Sequence, residues 1–323
     1  MFSIITVIVF VLIFSLSFIF GNKSVDRTMF NIEQTEFLKG IAIVLIILCH
    51  LIGQTHETVI ATPLGGIGVA MFLFMSGFGL QESYKKSVLS GFWKKKVLRI
   101  FIPYAFFITI KSVISGDFNL KNYLFDIFFI HTSYWYIGCL VKWSIAFYIS
   151  SLFHEKYKGY ILLLSSVLSL LLLPNIEAEQ SFSFVLGVMA SIKIEDIRLQ
   201  SNKFLYWIGV ILLMIGFLSL MIKQLPVIRQ NEITFLACQL LIKLPSALGL
   251  MILAGKLLPY SNVFVQCGIY SLELYLIHMK TLNIMQYNSI CAYIISLVAF
   301  FVFTYVFSRV FSFLCKKVNK ILS

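Results

Sequence analysis

A lysine, ten intervening residues and a histidine stand in the apolar segment Phe37-Leu-Lys39-Gly-Ile-Ala-Ile-Val-Leu-Ile-Ile-Leu-Cys-His50-Leu-Ile-Gly53. Eleven helical steps of about 100° return to within roughly 20° of the starting face, and the rise between them is about 16 Å. One face of a membrane helix would then hold a cation at the membrane edge and an imidazole near mid-depth. An ionisable group at that depth is costly and marks a functional site by default. The chemistry on offer is anion binding by Lys39 and proton transfer by His50, whose unperturbed pKa lies close to physiological pH. Two plainer roles stand beside these. Lys39 can snorkel as a charge anchor, and His50 can hydrogen-bond a neighbouring helix.

Three further segments carry reactive or polar side chains in apolar surroundings. Trp93-Lys-Lys-Lys96-Val-Leu-Arg99-Ile-Phe-Ile-Pro103-Tyr104 places Lys96 and Arg99 on one face at i, i+3, where they can grip phosphates or simply orient the helix. Gly65-Gly-Ile-Gly68-Val-Ala-Met-Phe-Leu-Phe-Met-Ser76-Gly77-Phe-Gly79 is rich in small residues that permit close helix approach, and it lacks the Lys-Ser/Thr of a phosphate loop. Ser271-Leu-Glu273-Leu-Tyr-Leu-Ile-His278 puts an acid inside an apolar run, with Lys243 and Lys142 as candidate partners, and a histidine towards its end. Asp126 is a further candidate buried acid, on a segment that reads as re-entrant. His56, His131 and His154 fall in or near loops, and Trp135 and Tyr136 read as interfacial aromatics. No Gly-x-Ser-x-Gly supports a hydrolytic serine.

These side chains need a membrane scaffold, and the composition supplies one. Of 323 residues 59% are hydrophobic and 12% charged. The apolar runs predict an all-α, polytopic transmembrane bundle of about eleven helices, near 2–20, 37–53, 66–81, 97–114, 133–153, 159–173, 181–192, 203–222, 233–254, 262–279 and 289–313. No polar stretch is long enough for a soluble domain, so residues 1–323 read as one integral membrane domain. Met1 to Phe20 lacks a basic leader region and reads as a retained helix. The net charge of +12 fits helix-end cations meeting anionic lipid rather than nucleic acid, because no basic and aromatic residues interleave on a polar surface. The six cysteines form no Cys-x-x-Cys pair or metal-ligand spacing and read as buried free thiols, so no metal is expected.

The cations are unevenly distributed. Lys23, Arg27, Lys39, Lys85, Lys86, Lys94, Lys95, Lys96, Arg99, Lys156, Lys158, Lys193, Arg198, Lys203, Lys256, Lys316, Lys317 and Lys320 fall on one side of the predicted topology. Only Lys111, Lys121, Lys223, Arg229 and Lys280 fall on the other. The positive-inside rule then puts the N-terminus outside, the C-terminus in the cytoplasm and Lys39 at the cytoplasmic edge.

In order along residues 35–313, these segments resemble the acyltransferase-3 family of integral membrane acyltransferases. The family's arginine, ten residues and histidine in its first core helix appear as Lys39 and His50, within Leu38-Lys-Gly-Ile-Ala. Its Phe-Phe-x-x-Ser-Gly-Phe appears as Phe72-Leu-Phe-Met-Ser76-Gly77-Phe78. Its Arg-x-x-Arg-Ile-x-x-Pro-x-Tyr appears as Lys96-Val-Leu-Arg99-Ile-Phe-Ile-Pro103-Tyr104. A Trp-aromatic pair appears as Trp135-Tyr136, and the late Ser-Tyr-x-x-Tyr-Leu-x-His as Ser271-Leu-Glu-Leu-Tyr275-Leu-Ile-His278. Lysine replaces both leading arginines, which keeps the charge and loses bidentate phosphate geometry. The helix at 2–20 stands as an addition to a ten-helix core.

The resemblance implies transfer of an acyl group, usually acetyl, from cytoplasmic acyl-CoA to a carbohydrate hydroxyl at the outer face of the plasma membrane. No cofactor is permanently bound, and acetyl-CoA serves as cosubstrate. Lys39, Lys96 and Arg99 would meet the donor's phosphates, and His50 would serve as base with Glu273 assisting. Ser76, Trp135, Tyr136 and His278 would complete the substrate or structural motifs. The competing expectation is a transporter or flippase for a lipid-linked sugar or anionic metabolite, with His50 and Glu273 relaying protons. A third is a sensor or assembly subunit without turnover. The abundance of Phe, Ile and Lys suggests a bacterial, AT-rich genome.

Overall fold

The computed structural model describes residues 2–21, 26, 28–55, 62–114, 116, 119–130, 132 and 134–322. Helices follow one another as α1 (Phe2–Ile19), α2 (Ile32–Gln54), α3 (Thr62–Ser87), α4 (Phe92–Lys96), α5 (Ile102–Ile114), α6 (Leu120–Ile127), α7 (Trp135–Leu152) and α8 (Glu155–Leu172). They continue as α9 (Asn175–Ala178), α10 (Ser183–Ile192), α11 (Ile194–Arg198), α12 (Asn202–Ile222), α13 (Pro226–Gln230), α14 (Glu232–Leu257), α15 (Asn262–Ile269), α16 (Ser271–Thr281) and α17 (Ile290–Leu322). A π-helical turn, Val97–Phe101, joins α4 to α5. Side chains cap several starts. Asn31, Asn119, Ser201 and Asn231 each accept from the backbone N–H three residues on, satisfying a donor with no partner inside the helix.

Among the described residues, seven helices are long and apolar enough to cross a membrane: Phe2–Ile19, Ile32–Gln54, Thr62–Ser87, Phe92–Ile114, Asn202–Ile222, Glu232–Leu257 and Ile290–Ile321. The other four expected spans are helical but fall short of that standard. Lys142 interrupts the apolar run of α7, and α8 opens with Glu155-Lys-Tyr-Lys158. Helix α10 has only 10 residues. The expected single span at 262–279 divides at Tyr270 into α15 and α16, of 8 and 11 residues.

The chain forms two compact units. Residues Met1–Lys86 and Ser150–Ser271 make the first, Ser87–Ile149 and Leu272–Ser323 the second. In the first unit, glycines set the closest helix approaches. A Cβ at Gly40 would fall into the Phe264 carbonyl, and one at Gly268 into the Glu36 carbonyl, so α2 and α15 touch backbone to backbone. Gly77 and Gly187 do the same reciprocally for α3 and α10, against Phe184 and Phe74. Gly209 and Gly249 bring α12 against α14. Tight backbone contact of this kind supplies the van der Waals packing that holds helices together in lipid. Helix α1 packs through an aromatic ladder: Phe14 and Phe18 meet Phe264 at 5.1 and 5.5 Å, and Phe18 also meets Phe37 at 6.1 Å. Lys158, expected as a surface cation, is buried with its ammonium 3.6 Å from the Tyr84 ring centroid.

In the second unit α5 and α17 run antiparallel. Phe106 stacks on Phe311 at 5.5 Å, and Asn319, eight residues after Phe311, donates at 2.9 Å to the carbonyl of Leu98, eight residues before Phe106. Thr281 and Thr304 hydroxyls join α16 to α17 at 2.7 Å. All six cysteines are free thiols. Cys139, Cys238 and Cys315 are buried as expected, whereas Cys291 is exposed because it lies in the first turn of α17.

Candidate functional site

Helix α2 carries the lysine and histidine on one continuous element, and its first turn fixes its rotation. Gln34 is wholly buried and fully used: its carbonyl accepts from Phe30 N–H at 2.6 Å, and its amide donates to the Gly255 carbonyl and the Tyr260 hydroxyl at 3.0 and 2.8 Å. Only glycine fits at 255, since a Cβ there would lie 2.7 Å from Gln34 Nε2. Phe37 stacks on Tyr260 at 4.7 Å. In the link before α2, hydrogen bonds from the Thr28 hydroxyl and N–H hold the Asp26 carboxyl below its ordinary range. With Gln34, Phe37 and Gly40 locked, Lys39 is presented about two turns into α2, and Cys49 and His50 near its C-terminal end.

Lys39 is partly exposed and makes an ion pair with Glu36 at 2.9 Å. The sequence signal for that partner was its i, i+3 spacing. His50 is partly buried. Its neighbour Cys49 packs against Gly65, where an added Cβ would lie 2.9 Å from the thiol sulfur. Ser76 is half-buried on α3 between tightly packed turns. Gly68 approaches the Ala42 carbonyl, but Gly79 faces open space, so of the small residues expected to pack closely Gly79 does not.

One buried charge pair in this unit escaped the sequence reading. Lys243 on α14 makes an ion pair with Glu179, in the link between α9 and α10, and their side chains are 8% and 9% exposed. The Lys243 stem lies against Gly66. Gln180 donates to the Gly66 carbonyl at 3.0 Å. Pro245, two residues beyond Lys243, supplies no N–H to the carbonyl one turn back, so the α14 ladder is open there. Of the two lysines expected as candidate partners of Glu273, Lys243 has Glu179 as its ion-pair partner.

In the second unit Lys96 and Arg99 flank the start of the π turn. Ile102 N–H bonds the Val97 carbonyl across five residues. Pro103 explains the wider turn, because its ring would clash with the Arg99 carbonyl in a regular α-helix. The simple i, i+3 alignment of Lys96 and Arg99 is accordingly altered. Lys96 is half-buried and Arg99 exposed.

Tyr136 and His278 are brought together through Tyr275, whose ring lies 5.2 Å from Tyr136 and 5.9 Å from His278. His278 is buried and its Nδ1 lies 3.0 Å from the Leu274 carbonyl, which makes that nitrogen the donor. Tyr134 stands 6.1 Å from Tyr275, and the partly buried Trp135 opens α7. Glu273 is hydrogen-bonded by Ser312, with Lys316 as the nearby cation. Asp126 pairs with Lys111 at 2.9 Å, beside Tyr104, which donates to the Asp126 carbonyl at 2.7 Å. His154 caps α8 by accepting from Lys156 N–H, while His56 and His131 lie outside the described residues.

No curated protein and no solved structure gave a significant match to this chain. A family model described as an acyltransferase domain does match, over residues 32–316, and so takes in α2 with Lys39 and His50, the small-residue helix α3, the π turn and the Tyr275–His278 turn. With that match covering most of its length, this membrane-helical chain belongs to the acyltransferase-3 family.

Proposed function

We propose that the protein is a plasma-membrane O-acyltransferase. It moves an acyl group, in the simplest case acetyl, from cytoplasmic acyl-CoA to a hydroxyl of an extracytoplasmic or lipid-linked carbohydrate. The observation that carries this reading is α2 itself: in a chain of acyltransferase family, one rigid helix holds a cation about two turns from its start and a histidine about 16 Å further on. The cation asymmetry favours an outside N-terminus, which puts Lys39 on the side where acyl-CoA is made.

In the proposed reaction Lys39, Lys96 and Arg99 receive the phosphates of the donor, and the thioester extends towards His50. The acceptor hydroxyl oxygen bonds to the thioester carbonyl carbon as the C–S bond breaks. His50 takes the hydroxyl proton and returns it to the departing thiolate, so the products are an ester and free CoA thiol. Holding both substrates in one bundle supplies the proximity contribution and requires no protein nucleophile. The proposed site takes donor and acceptor as substrates, with no resident cofactor or metal.

Membranes containing the protein and [1-14C]acetyl-CoA test the reading. Label entering an alkali-labile ester on envelope glycan, absent from control membranes, is the expected result. Movement of a lipid-linked sugar that needs no acyl-CoA would replace the reading with transport.

A further inference from the structure

Resting on that reading, we propose that Glu179, Lys243, Gln180 and Ser181 form the acceptor site of the first unit, and that the acceptor they take is a neutral sugar carrying neighbouring hydroxyls.

The cluster is costly as a mere brace. Two charges removed from water lose several kcal/mol of solvation each, on the order of what their attraction returns, and well-packed apolar pairs often serve stability as well or better. Inside a membrane a retained charge pair marks function by default. Lys243 lies eleven residues into α14, about 16 Å from its start, so this is no helix-end anchor.

The cluster also retains hydrogen-bonding capacity. Ser181 is fully buried, and among the described residues its hydroxyl has no hydrogen-bond partner. Ser183 reaches the Gln180 carbonyl oxygen only at 3.4 Å, close to the limit of a hydrogen bond. A buried hydroxyl left unpaired costs about 1–3 kcal/mol, which a bound hydroxyl would recover. A carboxylate accepts from two hydroxyls, while an ammonium and a serine donate, a set that matches adjacent hydroxyls on a sugar ring.

Charge and position narrow the ligand further. Glu179 neutralises Lys243, and Glu177 is buried two residues away, so the cluster carries no surplus cation for an acidic sugar or phosphate. Gly66, which holds the Gln180 amide and the Lys243 stem, directly follows Gly65, which holds Cys49, the residue beside His50. The polar cluster is thus tied to the turn of α2 that carries the proposed base.

Three measurements on full-length protein test the inference: labelled ester on glycan from [1-14C]acetyl-CoA in envelope membranes, thiol release from acetyl-CoA by protein purified away from glycan, where water is the only acceptor, and the unfolding temperature. Ser181→Ala removes an unpaired hydroxyl, so the unfolding temperature should be no lower than wild type and thiol release should match it, while ester formation falls at least threefold. Unchanged ester formation would overturn the inference. Glu179→Gln with Lys243→Met removes both charges together; ester formation should fall at least thirtyfold with thiol release retained. The exchange Glu179→Lys with Lys243→Glu restores an ion pair without restoring the site. Recovered folding with lost transfer supports an acceptor role, whereas recovery of both shows a brace and overturns it. Failure of wild type to form any glycan ester removes the functional reading, and the inference with it.

Discussion

Glu36 Oε1 lies 2.9 Å from Lys39 Nζ, one turn back along the helix that carries His50. Both side chains are partly exposed, and pairs of this kind contribute about 0.2–1 kcal/mol. The polyanionic donor of the proposed reaction would therefore have only a weak competitor to displace. Glu36→Gln should lower the KM for acetyl-CoA by up to about fivefold, the equivalent of that energy. Lys39→Ala should raise the KM about tenfold, a loss of roughly 1.4 kcal/mol, and Lys39→Arg should retain affinity. Steady-state kinetics in membranes decide it: an unaltered KM for Lys39→Ala would make Lys39 a membrane anchor.

The π turn at Val97–Phe101 sets how Lys96 and Arg99 are spaced, and Pro103 is its cause. Proline inside a helix costs about 3 kcal/mol, so Pro103→Ala should leave the protein as stable or more so. A regular helix would turn the two cations into a different phase. The expected result is an unfolding temperature no lower than wild type with a KM for acetyl-CoA raised at least threefold. An unchanged KM would show that the donor does not depend on the π turn.

Glycine positions separate packing from mere small size. A Cβ at Gly40 would occupy the space of the Phe264 carbonyl, whereas one at Gly79 would meet nothing within 4 Å. Overpacking costs about 1–3 kcal/mol or more where backbone has to move. Gly79→Ala should instead be neutral or stabilising by up to about 1 kcal/mol through helix propensity. Thermal unfolding monitored by thiol labelling should show Gly40→Ala destabilised and Gly79→Ala unaffected. Equal behaviour would contradict the α2–α15 contact.

Local pattern made much of the fold legible. Hydrophobic runs located the helices, because apolar length is what a bilayer demands. Lys39 and His50 were legible as a pair because eleven residues restore a helix face. Helix breaks were less visible: the division at Tyr270 has no proline or glycine at the break itself, and its neighbour Gly268 is explained only by the Glu36 carbonyl it meets. The π turn was foreshadowed by Pro103, but its register depends on hydrogen bonds across five residues. Lys243 stands out within an apolar run, yet its partner Glu179 sits in a short link between α9 and α10, where no helical periodicity connects it to α14. Gln34 gave no signal at all, since its three-way role arises from the backbone of Phe30, the backbone of Gly255 and the Tyr260 hydroxyl meeting at one place.

The most direct measurement is the acyl-ester content of surface glycans from cells making wild type, His50→Ala or neither, with membrane levels of the two proteins matched by immunoblot. Ester present with wild type and reduced to the level of cells lacking the protein with His50→Ala is the predicted result. Full ester with His50→Ala would contradict His50 as the base, and equal ester in all three would contradict acyl transfer to a surface glycan.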